Sequence, residues 1–229
     1  MGPESTKIYV YATDVRPLKE EFLYNQAYSL ASFQCRQRIR KYPAEQQWLS
    51  LGGELLLRKC LKDMGYTGIS LQYTYDRYGK PYLKNYPGLY FNLSHAGDYV
   101  ILSVSDTETG CDIEKIRDID LTVARRYFCI EEYEDILRDL EKQKEVFFRY
   151  WTLKESFTKI LGQGLLLPMN AFRIDLTGPD VQVIQEINTD TYYFHEPQIA
   201  PGYHCAVCTT QEGASIDLRM INLTEIVKG

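Results

Sequence analysis

Gly110-Cys-Asp-Ile-Glu-Lys115 and Trp151-Thr-Leu-Lys-Glu-Ser-Phe-Thr-Lys159 are the two stretches on which the reading of this chain turns. The first lies in a short run, Gly110 to Ile116, that reads as a strand, so Asp112 and Glu114, two apart, point to the same side. The second reads as a helix, on which Trp151, Glu155 and Lys159 lie four apart and share one face. Val146, Tyr150, Leu153, Phe157, Ile160 and Leu161 form an apolar stripe on that helix, with Glu155 roughly opposite. Taken alone, Glu155 and Lys159 read as an exposed i,i+4 pair worth about 0.3–0.5 kcal/mol. Asp112 and Glu114 alone read as a solvated strand face near a turn. If strand and helix meet, three carboxylates converge, and like charges held close do not all ionise unless something neutralises them. A hard divalent cation does so, and Mg²⁺ characteristically takes a few carboxylates plus substrate phosphates and water.

Outward from these stretches, Lys7 to Ala12 alternates and reads as a first strand, and Leu18 to Leu30 as a helix. A basic patch, Cys35-Arg-Gln-Arg-Ile-Arg-Lys41, follows and ends near Pro43. Trp48, Leu51, Leu55, Leu56 and Cys60 are spaced for a long amphipathic helix from Ala44 to Met64, stopped at Gly65. Short strands follow over Leu71–Tyr75, Tyr90–Ser94 and Tyr99–Ser105, the last two joined as a hairpin by Ser94-His-Ala-Gly-Asp98. Helices are expected over Leu121–Phe128 and Glu131–Leu161, the second broken near Glu141–Lys144 and stopped by Gly162 and Gly164. The remainder reads as β: Phe172–Leu176, Val181–Ile187, Thr191–His195, Tyr203–Thr209 and Ile216–Leu223. Strand, helices and strands thus run once and then repeat, with a seam near Asp106–Gly110. This pattern predicts an α+β chain of two similar halves, 1–106 and 107–229, with a cleft between them where a ligand sits.

Composition narrows the function. The chain has 229 residues, 45% hydrophobic and 25% charged, which suits a globular protein and not a disordered one. With 26 Lys plus Arg against 31 Asp plus Glu, the net charge is −5, so no general attraction to nucleic acid or anionic membrane is expected. No apolar run approaches a membrane span, and Met1 to Thr6 lacks the basic-then-apolar pattern of a signal peptide. Six thinly spread cysteines point to a reducing, cytoplasmic setting. The Cys205-x-x-Cys208 pair lies on an alternating strand with no second pair to complete a zinc site, and reads as ordinary buried thiols.

Positive charge for binding phosphate must therefore be local. Arg36, Arg38, Arg40 and Lys41 form the densest positive cluster in the chain, and guanidinium groups bind phosphate well; the plainer reading is a solvated helix end. Ser94-His95 closes a strand and opens a turn, so both side chains are expected to reach a cleft. Lys80, in Tyr78-Gly-Lys-Pro81, follows a turn signal and is placed beside a purine or phosphate.

Four segments in this order, Tyr78-Gly-Lys-Pro81, Phe91-Asn-Leu-Ser-His95, Gly110-Cys-Asp-Ile-Glu-Lys115 and Trp151 to Lys159, resemble the 4′-phosphopantetheinyl transferases of the larger, pseudo-dimeric surfactin-activating (Sfp) type. The resemblance implies a pseudo-dimer with the active site in the cleft, and transfer of the phosphopantetheine arm of coenzyme A to a serine of an apo acyl or peptidyl carrier protein, with 3′,5′-ADP leaving. It implies that Asp112, Glu114 and Glu155 hold Mg²⁺ at the coenzyme A pyrophosphate. Ser94, His95 and Lys159 would hold phosphates, with His95 near the 3′-phosphate; Lys80 would approach the adenine, and the patch containing Arg36, Arg40 and Lys41 would assist. Glu132 matches a position given a catalytic or water-holding role, and Glu155, Glu114 and Glu132 all stand as candidate bases. Cys111 departs from the usual Ile or Val, and Gln34 and Gln37 fall where Lys or Arg is expected. A monomer is expected, working for secondary metabolism and docking its carrier through Ile116–Arg126. Two rivals use the same residues: a metal-dependent hydrolase of a nucleotide pyrophosphate, and a non-catalytic module that binds coenzyme A or a carrier.

Overall fold

The computed structural model describes residues 7–228; Met1–Thr6, the stretch read for a signal peptide, lies outside them. The first strand, β1 (Lys7–Asp14), is followed by a 3-10 turn and helices α1 (Glu21–Leu30), α2 (Phe33–Ile39) and α3 (Ala44–Asp63). Ser32 caps α2, its Oγ accepting from the Cys35 amide at 3.1 Å. Strands β2 (Tyr73–Tyr75) and β3 (Pro81–Leu83) form a small hairpin, and β4 (Tyr90–Ala96) and β5 (Tyr99–Ser105) a longer one.

The second half opens with β6 (Thr109–Lys115), then α4 (Thr122–Tyr127), α5 (Ile130–Arg138) and α6 (Gln143–Leu161). The break expected near Glu141–Lys144 separates α5 from α6, and α6 ends at Gly162, whose φ of 71° is the left-handed conformation that glycine adopts freely. Strands β7 (Arg173–Asp175), β8 (Gln182–Ile184), β9 (Tyr193–His195), β10 (Tyr203–Thr209) and β11 (Ser215–Met220) follow, with a short α7 (Leu223–Lys228) where only strand was expected. All six cysteines are free, and Cys205 and Cys208 are buried as predicted. No described helix is long and apolar enough to cross a membrane.

Each half lays one long helix on a sheet. In the first, α3 covers a four-stranded sheet ordered β11-β1-β5-β4; in the second, α6 covers a three-stranded sheet ordered β6-β10-β9. Separate apolar cores sit beneath each helix, one around Leu55, Leu56 and Leu102, the other around Phe147, Leu153 and Phe157. A third core, with Ile8, Val10 and Ile101 from the first sheet and Ile113, Cys205 and Val207 from the second, fuses the halves. The chain's end crosses back: β11 pairs in parallel with β1, and Leu223 and Val227 of α7 join the first core. Arg219 fastens it, donating to the Tyr11 hydroxyl at 3.0 Å, while Tyr11 donates to Asp63 of α3 at 2.9 Å. Residues 215–228, placed by the expected 106/107 division in the second half, pack with the first.

One contact sets the position of α6. A Cβ built on Gly110 would lie 2.1 Å from the Ser156 carbonyl oxygen and 2.6 Å from the Ile160 nitrogen. Helix backbone therefore rests directly on strand backbone, a distance only glycine allows. Gly110→Ala must push α6 off β6, and is expected to destabilise the fold by about 3 kcal/mol or more; urea unfolding measures it, and a loss below about 1 kcal/mol would show that the helix is not held there.

Candidate active site

The two sheets meet where β4 runs beside β6 without a backbone ladder, and side chains take the place of the missing main-chain bonds. Asn92 Oδ1 accepts from the Cys111 amide at 3.0 Å, and Ser94 Oγ from the Ile113 amide at 3.4 Å. Asn92 and Ser94, two apart on β4, share the face that looks across this seam. Ser94 donates to Asp112 Oδ1 at 2.7 Å. From α6, the Lys159 ammonium reaches the same spot, 2.6 Å from Asp112 Oδ1, 2.9 Å from Ser94 Oγ and 3.1 Å from the Cys111 carbonyl. Residues from three elements thus close on one carboxylate. Lys159 does not make the exposed i,i+4 pair with Glu155.

The electrostatics follow from crowding. Burial is the largest single influence on Lys159 and opposes its charge, but Asp112, Cys111 and Glu155 together outweigh it and raise the lysine's pKa. Glu155 is pushed up, first by burial and then by the Asp112 charge, with Glu114 adding to it. Glu114 is also raised, by burial above all, although Arg117 at 3.0 Å works against the rise. Asp112 therefore lies close enough to Glu114 and to Glu155 to disfavour the ionisation of both. Asp112 Oδ2 is buried and has no hydrogen-bond partner, a costly state for a carboxylate oxygen. An all-oxygen set of mutually repelling carboxylates, one with an orphaned buried atom, fits a hard divalent cation. As the side chains stand, no three described His, Cys, Asp or Glu residues are drawn tightly enough to hold one; the Lys159 ammonium holds Asp112 instead.

The other face of β4 opens on a groove of about 520 Å³. Its walls include Tyr73, Tyr75, Phe91 and Leu93, with Arg38, His95 and Glu54 among the charged or polar members, Glu54 being paired with Arg58. The strand continues through Ala96 rather than turning at Ser94, so Ser94 and His95 project to opposite sides. His95 still senses the centre: partial desolvation and then the Lys159 charge hold its pKa below that of an ordinary histidine.

Several expected residues lie elsewhere. The Lys80 ammonium is buried on Glu108 Oε2 at 2.6 Å and on the Ile160 carbonyl at 3.1 Å, tying the β2–β3 hairpin to the end of α6, and does not face the groove. Within the basic patch, Arg40 donates to the Tyr28 hydroxyl at 3.0 Å and Arg36 to the Ser29 carbonyl at 3.2 Å, both toward α1; Lys41 is exposed beyond α2. Arg38 alone of the patch lines the groove. Cys35 and Ile39 form the buried face of α2, which puts Arg38 on one flank of the helix and Arg36 on the other, a signal the sequence carried. Arg117, expected on the carrier-docking segment, pairs with Glu114 at 3.0 Å, and Asn92 carries no expected role. The pairing of Asn92 with Ser94 at i, i+2 in an otherwise apolar strand was its clue.

Glu132 is a structural residue. Its side chain and that of Lys154 are both 0% exposed and pair at 2.7 Å. Its oxygens also accept from the amides of Cys129 at 2.9 Å and Ile174 at 2.7 Å, which caps α5 and leaves no atom for a reactant. Removing one partner would strand a buried charge.

Two profiles describe the chain: "4'-phosphopantetheinyl transferase, N-terminal" over residues 14–107 and "4'-phosphopantetheinyl transferase superfamily" over 108–208. It is similar to 4'-phosphopantetheinyl transferase Sfp of Bacillus subtilis (strain 168), 34% identical over 96% of this chain and 100% of that one. It is also similar to 4'-phosphopantetheinyl transferase ffp of Bacillus subtilis, 32% identical over 94% and 97%. The 4'-phosphopantetheinyl transferase HetI of a Nostoc species is 35% identical over 64% and 65%. A solved structure, the holo-[acyl-carrier-protein] synthase (AcpS) of Thermotoga maritima, covers 44% of this chain and 61% of its own at 17% identity and a TM-score of 0.38, too loose a likeness to bear on the fold.

Two outcomes follow. Lys154→Met should cost about 3–5 kcal/mol by leaving Glu132 buried and unpaired, a loss read by urea unfolding; a change under about 1 kcal/mol would contradict the pair's structural role. Glu155→Gln should do the reverse. Because the folded pKa of Glu155 is raised, its contribution to stability is present below the unfolded value and lost as pH rises through the folded one. The metal-free variant should therefore melt above wild type at pH 7–8, with the gain vanishing below the unfolded pKa of 4.5; a lower Tm at pH 8 would remove Glu155 from the crowded centre.

Proposed function

This chain belongs to the 4′-phosphopantetheinyl transferase superfamily, and from that premise we propose how its site moves the phosphopantetheine arm of coenzyme A to a serine hydroxyl of an apo carrier protein, with 3′,5′-ADP as the second product. The observation that carries the reading is the meeting of β4, β6 and α6 at Asp112, where Lys159 and Ser94 converge on a carboxylate with an orphaned oxygen.

Phosphoryl transfer asks a protein chiefly for positioning and for charge stabilisation. Asp112, Glu114 and Glu155 would hold Mg²⁺, which when bound polarises the phosphoryl oxygens and offsets the charge on the leaving group. Lys159, with Ser94 as its neighbour, binds the pyrophosphate oxygens from the α6 side. Arg38 and His95 offer charge and hydrogen bonds to the 3′-phosphate of a nucleotide lying in the groove, against the rings of Tyr73, Tyr75 and Phe91. The β-phosphorus then takes the serine oxygen as its P–O bond to 3′,5′-ADP breaks. The serine proton passes to Glu155. Glu155 makes no ion pair among the described residues, and burial and then the Asp112 charge raise the pKa of that carboxyl, the direction that favours a proton acceptor, whereas Glu132 is walled off.

The carrier approaches over α4 and the start of α5. Tyr127 and Ile130 are 44% and 62% exposed there, beside the exposed Arg125 and Arg126. An apolar patch with a cationic rim suits an acidic partner even though the chain is itself acidic overall.

Mass spectrometry of an apo carrier protein incubated with the chain, coenzyme A and Mg²⁺ should show the added arm. Asp112→Ala, Glu114→Ala and Glu155→Ala should each slow transfer on the order of 10²–10³-fold with folding intact; wild-type rates in any of them would contradict its place in the metal set. Release of 3′,5′-ADP at the same rate without any carrier would instead favour the hydrolase.

A further inference from the structure

The acidic centre is neutralised from within. Three oxygens surround the Lys159 ammonium, from Asp112, Ser94 and Cys111, which matches its three donors. A second cation, Arg117, sits 3.0 Å from Glu114 Oε2. Glu155 forms no ion pair among the described residues, and Asp112 Oδ2 stays buried without a partner. The centre thus has two internal counter-charges, one carboxylate without an ion pair and one open oxygen.

A single ammonium cannot serve Asp112 and a substrate phosphate at full strength together. A phosphate arriving alone would have to draw Lys159 away and leave Asp112 buried and unpaired, an expensive state. A divalent ion arriving alone would have to sit beside an ammonium, and like charges repel. Each obstacle is removed by the other ligand.

Resting on the metal assignment above, we propose that Lys159 and Arg117 are stand-in cations of the metal-free protein: a divalent ion at Asp112, Glu114 and Glu155 expels Lys159 from Asp112, and the expelled ammonium becomes a phosphate ligand, so that ion and phosphate-bearing co-substrate bind cooperatively through one side chain. No bond is made or broken; one cation replaces another at the carboxylate. The coupling is reciprocal, since each ligand raises affinity for the other by the same factor. Arg117 makes the parallel exchange at Glu114 more weakly, because its side chain is 59% exposed and screened by water.

The probe is Mn²⁺, its free aquo ion counted by electron paramagnetic resonance, with and without 3′,5′-ADP, on wild type, Lys159→Met, Lys159→Arg, Arg117→Met and Asp112→Ala. Without nucleotide, Lys159→Met should bind Mn²⁺ roughly tenfold more tightly than wild type, because a competing charge a few ångströms away is gone. Lys159→Arg, which keeps the charge, should bind like wild type. Arg117→Met should bind about two- to threefold more tightly; its exposed position spares the fold, so it carries the test if Lys159→Met does not fold. Adding 3′,5′-ADP should tighten Mn²⁺ binding to wild type about tenfold and leave Lys159→Met nearly unmoved. Unchanged or weaker Mn²⁺ affinity in both Lys159→Met and Arg117→Met, with binding abolished in Asp112→Ala, would overturn the exchange and leave the metal site standing. Mn²⁺ binding indifferent to Asp112→Ala would overturn both.

Discussion

The absence of a side chain at Gly110 is the constraint from which the rest of the site follows. With backbone on backbone at that point, α6 lies flush against β6. Every residue on the helix face near the seam is thereby delivered to the strand's acidic side chains. Lys159 reaches Asp112 across 2.6 Å, a distance that a helix displaced by one methyl group would not preserve. The Asp-x-Glu on the strand and the Glu-x-x-x-Lys on the helix become one centre because of the residue two before Asp112, which meets the helix at Ser156 with no side chain between them. Asn92 and Ser94 do the corresponding work on the other side, binding β4 to β6 with side chains where no ladder exists. The centre therefore sits at a three-way junction and belongs to neither half alone.

Much of this was legible in the residues. Alternation and helical spacing located β1, β5, β10, α3 and α6, because each has one strongly apolar face. The same spacing put Asp112 with Glu114, and Glu155 with Lys159, on shared faces. Partners drawn from distant parts of the chain were not legible. Lys80 looked like an exposed turn lysine, yet its ammonium is taken by Glu108 and by the last turn of α6. Glu132 looked available, yet Lys154, which faces the core from α6, neutralises it in the interior. In the basic patch, charge density alone could not rank Arg36, Arg38, Arg40 and Lys41. The buried pair Cys35 and Ile39 decides which way α2 faces, and hence that Arg38 meets the groove. The reach of β4 through Ala96 was also hidden, because a turn at Gly97 and a turn at His95 leave similar residues in view.

The electrostatic arrangement also works against the fold that contains it. Three carboxylates held near one another in a partly dry seam cost stability, and the raised pKa of Glu155 and Glu114 is the mark of that cost. Lys159 and Arg117 offset part of it. Apolar cores under α3, under α6 and between the sheets supply the rest. Stability and function are commonly opposed at such centres.

The parallel pairing of β11 with β1 has a consequence for biosynthesis. A ribosome releases β1 long before β11, so over that interval the first sheet stays one strand short, with an open edge on β1. The nascent first half can collapse around α3 and the β4–β5 hairpin, but its closing strand is not yet synthesised. Completion then requires a long-range encounter between strands far apart in the chain, a step slow by its topology. Until it happens, the open flank of β1 is the place where a newly made molecule is most exposed to joining another.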